Sequence, residues 1–229
     1  MERLKELISL ISLNTKSVHP FGTREDRARI TFILYKKYLT DSILDVGCSG
    51  KALREWLTDD IKYVGVDIAG EPDFQVDLEK EKLQLFKDNS FHTVVCTDVL
   101  EHLENIHEIF DELCRVSNKY VIISLPNNWA NFKFSLIKGN GNHKFYGLPA
   151  EKPTDRHKWF FNYDQALNFI ELRAKKNGFR IKHKFSFPII YNSFKLHILN
   201  LLFKIYYKNQ FKSNNLFITS VWVLMEKRE

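Results

Sequence analysis

Short apolar segments alternate with amphipathic ones through the middle of the chain. The apolar segments are rich in Val, Ile and Phe and end in glycine or polar residues, which is typical of β-strands. The predicted strands are Ser42–Val46, Lys62–Asp67, Phe74–Val76, Phe91–Thr97 and Tyr120–Leu125. Between them we predict helices at Lys51–Leu57 and Ile106–Val116, with a helix or turn at Glu79–Phe86. This alternation predicts an α/β fold with a mostly parallel sheet and helices on both faces.

Helical spacing of apolar residues dominates the start of the chain. An amphipathic stretch at residues 4–11 and a second predicted helix, Arg24–Leu39, are separated by Pro20. We interpret residues 1–40 as an N-terminal helical cap. Packing against the core is its expected role, and gating of a substrate is the alternative.

After the fifth predicted strand comes a long connection, 127–156, with several glycines and two prolines. The pattern then predicts a helix, a strand, a helix and a strand, at Tyr163–Lys176, Phe179–Pro188, Asn192–Lys208 and Phe217–Met225. We predict that residues 41–229 form one domain with an insertion at about 127–160. Long loops of this kind often cover a ligand.

The composition fits a globular protein with a full core. Of 229 residues, 44% are hydrophobic, and the net charge of +6 favours an anionic partner such as nucleic acid, a phosphorylated metabolite or an acidic membrane. The three cysteines form no CxxC pair, so no disulfide framework is expected. The sequence has neither a secretory signal nor an apolar run of about 20 residues. These features predict a cytoplasmic protein.

Polar residues stand where the predicted strands end. The first strand runs into the glycine turn Asp45-Val46-Gly47-Cys48-Ser49-Gly50, and the second ends in Asp67-Ile68. Asp77-Leu78 follows the third strand and Thr97-Asp98 the fourth. Parallel strands end at one edge of the sheet, where such folds bind ligands. Because carboxylates there accept hydrogen bonds from ribose hydroxyls or amino groups, the pattern predicts a crevice for a nucleoside cofactor.

The order of these motifs resembles that of class I S-adenosylmethionine-dependent methyltransferases, of the methyltransferase type 11 and ubiquinone-pathway O-methyltransferase kind. The matching segments, within roughly residues 40–185, are Leu44-Asp45-Val46-Gly47-Cys48, Val64-Gly65-Val66-Asp67, Asp77-Leu78-Glu79, residues 89–95, Val99-Leu100-Glu101-His102-Leu103, Ser124-Leu125-Pro126-Asn127 and Lys176-Asn177-Gly178-Phe179. The resemblance implies a Rossmann-like, seven-stranded sheet closed by an antiparallel pair, with S-adenosylmethionine as cofactor. A dinucleotide is disfavoured, because the chain has no GxGxxG and Asp45 would repel a pyrophosphate.

The resemblance also implies a role for each strand end. Asp45, with the backbone of the glycine turn, would hold the methionine part of the cofactor. Asp67 would accept from the ribose hydroxyls, and Asp77 and Leu78 would frame the adenine. The predicted cofactor-binding residues are Asp45, Gly47, Cys48, Ser49, Gly50, Asp67, Ile68, Asp77, Leu78, Thr97 and Asp98.

The glycine turn departs from the family pattern, which places glycines two and four residues after the first. This chain has Ser49 and Lys51 at those positions. We expect Gly50, between them, to supply the flexible φ angle instead. Otherwise the turn is rearranged or the cofactor binds less tightly.

Two histidines are the candidate catalytic residues, His102 after the fourth strand and His157 before the helix that follows the insertion. Methyl transfer to oxygen removes a proton, and histidine titrates in the right range. Some relatives bind a divalent metal through an acidic-x-x-Glu-His cluster and a further histidine, which Asp98, Glu101, His102 and His157 imitate. Because many metal-free relatives also carry Glu-His, we predict no metal.

The resulting prediction is an S-adenosylmethionine-dependent methyltransferase that acts on an oxygen, or a nitrogen, of a small metabolite. Two alternatives remain open, an RNA 2′-O-methyltransferase, which the basic charge favours, and a non-catalytic relative that binds the cofactor. The basic helix at Asn192–Lys208 is expected to pack on the sheet, with peripheral membrane contact as the alternative. The oligomeric state is not predicted.

Overall fold

A seven-stranded sheet with the order β3-β2-β1-β4-β5-β7-β6 organises the fold. The computed structural model of the protein describes residues 23–139, 145–188, 194–207, 210 and 212–228. Its strands are β1 (Ser42–Val46), β2 (Lys62–Asp67), β3 (Phe74–Gln75), β4 (Phe91–Thr97), β5 (Ser117–Pro126), β6 (Phe179–Pro188) and β7 (Ile218–Lys227). Strands β1 to β5 pair in parallel, and β7 runs antiparallel between β5 and β6. The predicted Rossmann-like, mostly parallel sheet with a closing antiparallel pair is confirmed.

Side-chain caps begin two of the helices. They are α1 (Arg24–Tyr35), α2 (Ile106–Val116), α3 (Asn128–Ile137), α4 (Tyr163–Lys176), α5 (Phe194–Tyr207) and α6 (Ser213–Phe217). The hydroxyl of Thr23 accepts from the backbone N–H of Asp26 at the start of α1. Asn162 and Gln165 form a reciprocal capping box at the start of α4. Such caps satisfy backbone donors that a helix leaves unpaired.

The alternation of side chains along the strands fills a core on each face of the sheet. Leu44, Val94 and Ile123 belong to one core, which α2 and α4 cover. Their neighbours Ile43 and Val95 belong to the other, against which α1 packs. All five side chains are at most 1% exposed. Helices therefore lie on both faces, as predicted, because each strand of this sheet has two apolar sides.

Two parts of the middle region differ from the prediction. Lys51–Leu57 is not an α-helix; it contains only a 3₁₀ turn at Arg54–Trp56. Lys51 has a φ of 57°, in the left-handed region, so an α-helix cannot start there. The long connection after β5 also contains a helix, α3, that the glycine and proline content did not suggest.

Helix α5 presents apolar side chains to solvent. Ile198, Leu201, Leu202 and Ile205 are 41–63% exposed, so the expected packing of this stripe on the sheet is wrong for these residues. None of the helices in the described parts of the chain is long and apolar enough to cross a membrane. The predicted helix near residues 4–11 lies outside the described residues, and the domain boundaries stay a prediction.

Candidate active site

A cavity of about 950 Å³ lies at the carboxyl ends of the central strands. Strand β1 has β2 on one side and β4 on the other, so the crossover connections diverge here, as they do where doubly wound sheets bind ligands. The predicted site residues that line the cavity are Asp45, Gly47, Cys48, Asp67, Ile68, Asp77, Leu78, Thr97, Asp98, His102 and His157. Ser49 and Gly50, also predicted, are not among its lining residues.

Asp45 lies at the carboxyl end of β1 and is only 7% exposed. Its Oδ2 accepts a hydrogen bond of 2.7 Å from the hydroxyl of Tyr63 on β2. Burial raises the pKa of Asp45 to about 6, the Tyr63 hydrogen bond lowers it, and the nearby charge of Asp67 raises it. A carboxylate of this kind is costly to keep ionised unless a cation or further donors approach it.

The glycine turn after β1 keeps left-handed φ angles at three alternate positions. Gly47 has a φ of 83°, Ser49 of 49° and Lys51 of 57°. A Cβ on Gly47 would also lie 2.2 Å from Cγ2 of Val99, so glycine is needed there for space as well. Gly50 is not among the residues with positive φ, so the expectation that it supplies the flexible angle is wrong. Ser49 and Lys51 themselves adopt left-handed φ angles, which glycine adopts without strain.

Side chains around the turn hold the two strained residues. The backbone N–H of Ser49 donates to Oδ2 of Asp67 at 2.8 Å, and the hydroxyl of Ser49 accepts from the guanidinium of Arg24. The ammonium of Lys51 pairs with Asp73 at 3.0 Å. Left-handed φ costs a non-glycine residue about 1–2 kcal/mol, which such contacts offset in part.

Asp67 and Asp77 follow neighbouring strands. The Oδ1 of Asp67 accepts from the backbone N–H of Ala69 at 3.1 Å, so both carboxylate oxygens are oriented by backbone donors. The hydrogen bond from Lys80 lowers the pKa of Asp77. Ile68, between them, exposes 58% of its surface although it is apolar. This edge of the cavity thus combines oriented acceptors with an uncovered apolar side chain.

Helix α1 contributes two cations that the sequence reasoning missed. Arg24 and Arg27 line the cavity, and the guanidinium of Arg27 lies 3.6 Å from Oδ2 of Asp98. Their spacing of three residues places both on one helical face, which is a signal the sequence did contain. Buried Ile30 and Tyr35 pack the same helix on the core. Helix α1 therefore both packs on the core and forms a wall of the cavity.

Asp98 follows β4 and is engaged by two partners of its own. It has a φ of 52°, and its Oδ1 accepts from the hydroxyl of Ser124 at 2.6 Å. With Arg27 on its other oxygen, its carboxylate is fully engaged. Thr97, which precedes it, lines the cavity at the end of the strand.

Beyond β4 the structure brings together Glu101, His102 and His157. One potential ligand atom of each lies within 4.8 Å of those of the other two. Glu101 is 1% exposed, its Oε2 has no hydrogen-bond partner, and burial raises its pKa well above the usual range. Asp98, the fourth member of the set suggested by sequence, is not part of this cluster.

The two imidazoles are held by partners from the insertion. Nδ1 of His102 lies 2.6 Å from Asp155, and Nδ1 of His157 lies 3.0 Å from the hydroxyl of Tyr146. The ring of Phe145 stacks on that of His157 with centroids 4.6 Å apart. Burial, and secondarily the neighbouring His102, lowers the pKa of His157 to about 4. The predicted catalytic histidines are thus neighbours, although 55 positions separate them in the printed sequence.

The chain matches a family of enzymes in its central part. Residues 44–123 match the family model described as a methyltransferase domain. The matched segment begins in β1 and ends in β5, so it contains the glycine turn, the three strand-end aspartates and the Glu101-His102 pair. No curated protein matches the sequence.

Solved structures share the fold at low sequence identity. A SAM-dependent methyltransferase from Archaeoglobus fulgidus has 20% identity and a TM-score of 0.58 over 90% of this chain and 96% of its own. The small RNA methyltransferase HEN1 has 17% identity and a TM-score of 0.57, over 94% of this chain and 27% of its own. The magnesium protoporphyrin IX methyltransferase ChlM from Synechocystis PCC 6803, solved with bound SAH, has 16% identity and a TM-score of 0.51, over 89% of this chain and 83% of its own.

The family match and the shared fold confirm the prediction of a class I S-adenosylmethionine-dependent methyltransferase. The matched segment therefore indicates an enzyme of methyl transfer. S-adenosylmethionine or its product is named for the solved structures that share the fold. Neither comparison identifies the acceptor, since the relatives named above act on different molecules.

Proposed function

We propose that the protein transfers the methyl group of S-adenosylmethionine to a hydroxyl oxygen of a small metabolite. The observation that supports this is a single cavity lined on one side by strand-end carboxylates and on the other by His102 and His157. A nucleoside cofactor needs carboxylates that accept hydrogen bonds from its hydroxyl and amino groups. A hydroxyl acceptor needs a nearby base that can take its proton.

The cofactor residues are assigned from their geometry. Asp45 is placed to receive the amino group of the methionine part, whose positive charge would stabilise the ionised carboxylate. Arg24, whose guanidinium contacts Ser49 in the glycine turn, has the charge to receive the methionine carboxylate. Asp67, its carboxylate oriented by two backbone N–H groups, would accept from the ribose hydroxyls. Ile68 would lie against the adenine, which would cover its exposed surface.

In the reaction a bond forms between the acceptor oxygen and the methyl carbon. The bond between sulfur and that carbon breaks, its electron pair stays on sulfur, and S-adenosylhomocysteine is released. The hydroxyl proton of the acceptor passes to a free imidazole nitrogen of His102 or His157 and from there to solvent. Alignment supplies much of the rate of such a transfer, because the sulfonium is already a good leaving group.

Calorimetry with S-adenosylhomocysteine tests the cofactor assignment directly. We expect one site per chain, with binding lost in Asp45→Ala and kept in a control, Asp59→Ala, whose carboxylate is fully exposed. Incubation of the protein with S-adenosylmethionine and panels of hydroxylated and aminated metabolites, followed by mass spectrometry for a gain of one methyl group, then identifies the acceptor. Methylation of nitrogen alone would contradict the proposed hydroxyl acceptor.

RNA 2′-O-methylation is the second candidate function. The cluster of Glu101, His102 and His157 is compatible with it, because a ribose 2′-hydroxyl needs the same removal of a proton as the hydroxyl of a small metabolite. Filter binding of RNA at low and high salt separates the two candidates, since phosphate contacts weaken steeply with salt. Salt-independent or absent RNA binding would leave the small metabolite. A non-catalytic relative would bind S-adenosylhomocysteine yet release none from S-adenosylmethionine with any acceptor.

Peripheral membrane contact through α5 is a further proposal about partners. The sequence between Glu171 and Glu226 contains ten Lys and Arg residues and no Asp or Glu. Exposed Leu201, Leu202 and Ile205 would enter the acyl boundary, and the positive charge of this part of the sequence would favour anionic headgroups. Vesicles with anionic phosphatidylglycerol should retain the protein and neutral phosphatidylcholine vesicles should not. Retention unchanged in Leu201→Asp/Leu202→Asp would contradict this contact.

The cytoplasmic location stays a proposal as well. Cys48, Cys96 and Cys114 are all free and buried, which fits a reducing compartment. Burial, followed by the charges of Asp45, Asp67 and Asp73, raises the pKa of Cys48 to about 12. Its thiol is therefore unreactive at neutral pH.

A further inference from the structure

Two cations on the cavity wall have no partner in the part of the chain that the structure describes. The positively charged side chains that line the cavity are Arg24, Arg27, Lys152, Arg156 and Lys158. Arg27 and Lys158 have carboxylate partners, at 3.6 and 3.8 Å, and Arg24 is assigned to the cofactor. Among the described residues, Lys152 and Arg156 have neither an ion pair nor a hydrogen bond of their side chains. Both charges are therefore available to a ligand.

The backbone around Arg156 is held next to the end of β4. The N–H of His157 donates to the carbonyl of Phe145 at 3.2 Å, and the N–H of Lys158 donates to the carbonyl of Glu101 at 2.8 Å. Consecutive Cα atoms are about 3.8 Å apart, so Arg156 starts beside one of the two imidazoles proposed to take the acceptor's proton. A group bound by Arg156 and a hydroxyl near His157 are thus within the length of one small molecule.

The acids at this end of the cavity do not cancel the two free positive charges. Asp98 is paired with Arg27, and burial raises the pKa of Glu101, which favours its uncharged form. Asp155 also lines the cavity, and its carboxylate lies 2.6 Å from Nδ1 of His102. One negative charge thus accompanies two unpaired positive ones. Charges on the wall of a cleft attract a counter-ion more strongly than they would on an open surface.

We propose that the methyl acceptor carries an anionic group, a carboxylate or a phosphate, which Lys152 and Arg156 bind. A guanidinium binds either group through two parallel N–H···O bonds, and an ammonium adds a compact positive charge. Apolar Leu103, Phe145 and Pro153 line the cavity beside these cations and would contact the body of the acceptor. The proposal rests on the proposed transfer to a hydroxyl and narrows its substrates to hydroxylated acids.

Inorganic phosphate and benzoate are the probes that test this anion site, on the full chain saturated with S-adenosylhomocysteine. Titrations followed by nuclear magnetic resonance of each probe measure its affinity, and benzamide has the shape of benzoate without its charge. We expect at least one anion to bind and benzamide not to bind. Lys152→Gln/Arg156→Gln should weaken that binding about tenfold or more, because charge-assisted hydrogen bonds are lost. Binding of phosphate alone indicates a phosphorylated acceptor, and binding of benzoate alone a carboxylated one.

The matched control is Lys87→Gln/Arg228→Gln, which loses the same two kinds of charge. Lys87 and Arg228 are exposed and do not line the cavity, so this variant should bind the probes as the wild type does. Lys152→Arg/Arg156→Lys keeps both charges and should recover part of the affinity. Binding of neither anion by the wild type, or equal weakening in the control variant, would overturn the inference.

Calorimetry with S-adenosylhomocysteine on the same samples separates this inference from the proposed function. Cofactor binding without anion binding would overturn the inference alone, whereas absence of cofactor binding would overturn both. With an acceptor identified by mass spectrometry, Lys152→Gln/Arg156→Gln should raise KM about tenfold and leave kcat near that of the wild type, since these cations touch no reacting atom. An unchanged KM, or loss of RNA binding in a protein that binds neither small anion, would contradict the proposal.

Discussion

The two ends of the cavity are built in different ways. The cofactor end takes Asp45, Asp67 and Asp77 from the ends of three adjacent strands, each within a short motif. The acceptor end takes its residues from β4 and from a segment some fifty positions later, joined through Tyr146 and Asp155. Local motifs thus specify the first wall, while the second depends on how the insertion folds back. A substitution in one wall should therefore leave the function of the other wall unchanged.

Asp45→Asn should have the largest effect. Loss of a charge-assisted contact, worth about 1.5–3 kcal/mol, predicts cofactor binding weaker by about 10–150-fold in calorimetry with S-adenosylhomocysteine. Asp59→Asn is the control for a change of net charge, and unchanged cofactor binding in Asp45→Asn would contradict the role proposed for this carboxylate.

The same variant should be more stable without ligand. The rise of the Asp45 pKa from 3.8 to about 6 corresponds to roughly 3 kcal/mol as an upper bound. Because the folded-state pKa is raised, this destabilisation is absent below the unfolded pKa, grows as pH rises through the folded pKa, and is complete above it. In urea unfolding, the free energy of unfolding of Asp45→Asn should therefore exceed that of the wild type at pH 8 and equal it near pH 3.

Two tyrosine variants compare the walls with the same chemical change. Tyr146→Phe removes the hydroxyl that lies 3.0 Å from Nδ1 of His157, so methyl transfer to the acceptor should slow while S-adenosylhomocysteine binds as before. Tyr63→Phe removes the donor to Asp45, raises the pKa of that carboxyl further, and should weaken cofactor binding. The reverse pattern, with weaker S-adenosylhomocysteine binding in Tyr146→Phe alone, would show that the two walls are coupled.

The pH dependence of cofactor binding should follow Asp45. With a pKa of about 6, the ionised fraction falls about tenfold between pH 7 and pH 5, while the amino group of the cofactor stays protonated. Affinity for S-adenosylhomocysteine should drop by a similar factor in calorimetry across this range. Asp45→Asn should lose this dependence, and an unchanged profile in that variant would assign it to another group.

Restoring glycine in the turn should have the smallest effect. Ser49→Gly/Lys51→Gly removes the cost of two left-handed φ angles, but it loses the contacts with Arg24 and Asp73 and gains chain entropy when unfolded. We expect the free energy of unfolding to change by about 1 kcal/mol or less, with cofactor binding equal or tighter. Gly47→Ala, which meets Val99, should by contrast destabilise the protein. Clearly weaker binding in the double variant would contradict this account of the turn.

The sequence by itself determined the sheet, most strand bounds and the row of carboxylates at the strand ends. Strands such as Ser42–Val46 and Phe91–Thr97 were predictable because a short apolar run is a local signal, and parallel strands must end at one edge. The turn was less predictable: φ angles at Ser49 and Lys51 are imposed by their neighbours against the preference of the residues themselves.

Only the tertiary structure decided how the other wall is assembled. No spacing rule relates Glu101 to His157, or Arg27 to Asp98, because these pairs meet only after α1 and the insertion pack on the sheet. Burial of Glu101 and Asp45, and hence their raised pKa values, likewise depends on what covers them. Local patterns specify where a chain turns, whereas desolvation and the hydrogen-bond partner of each imidazole arise from long-range packing.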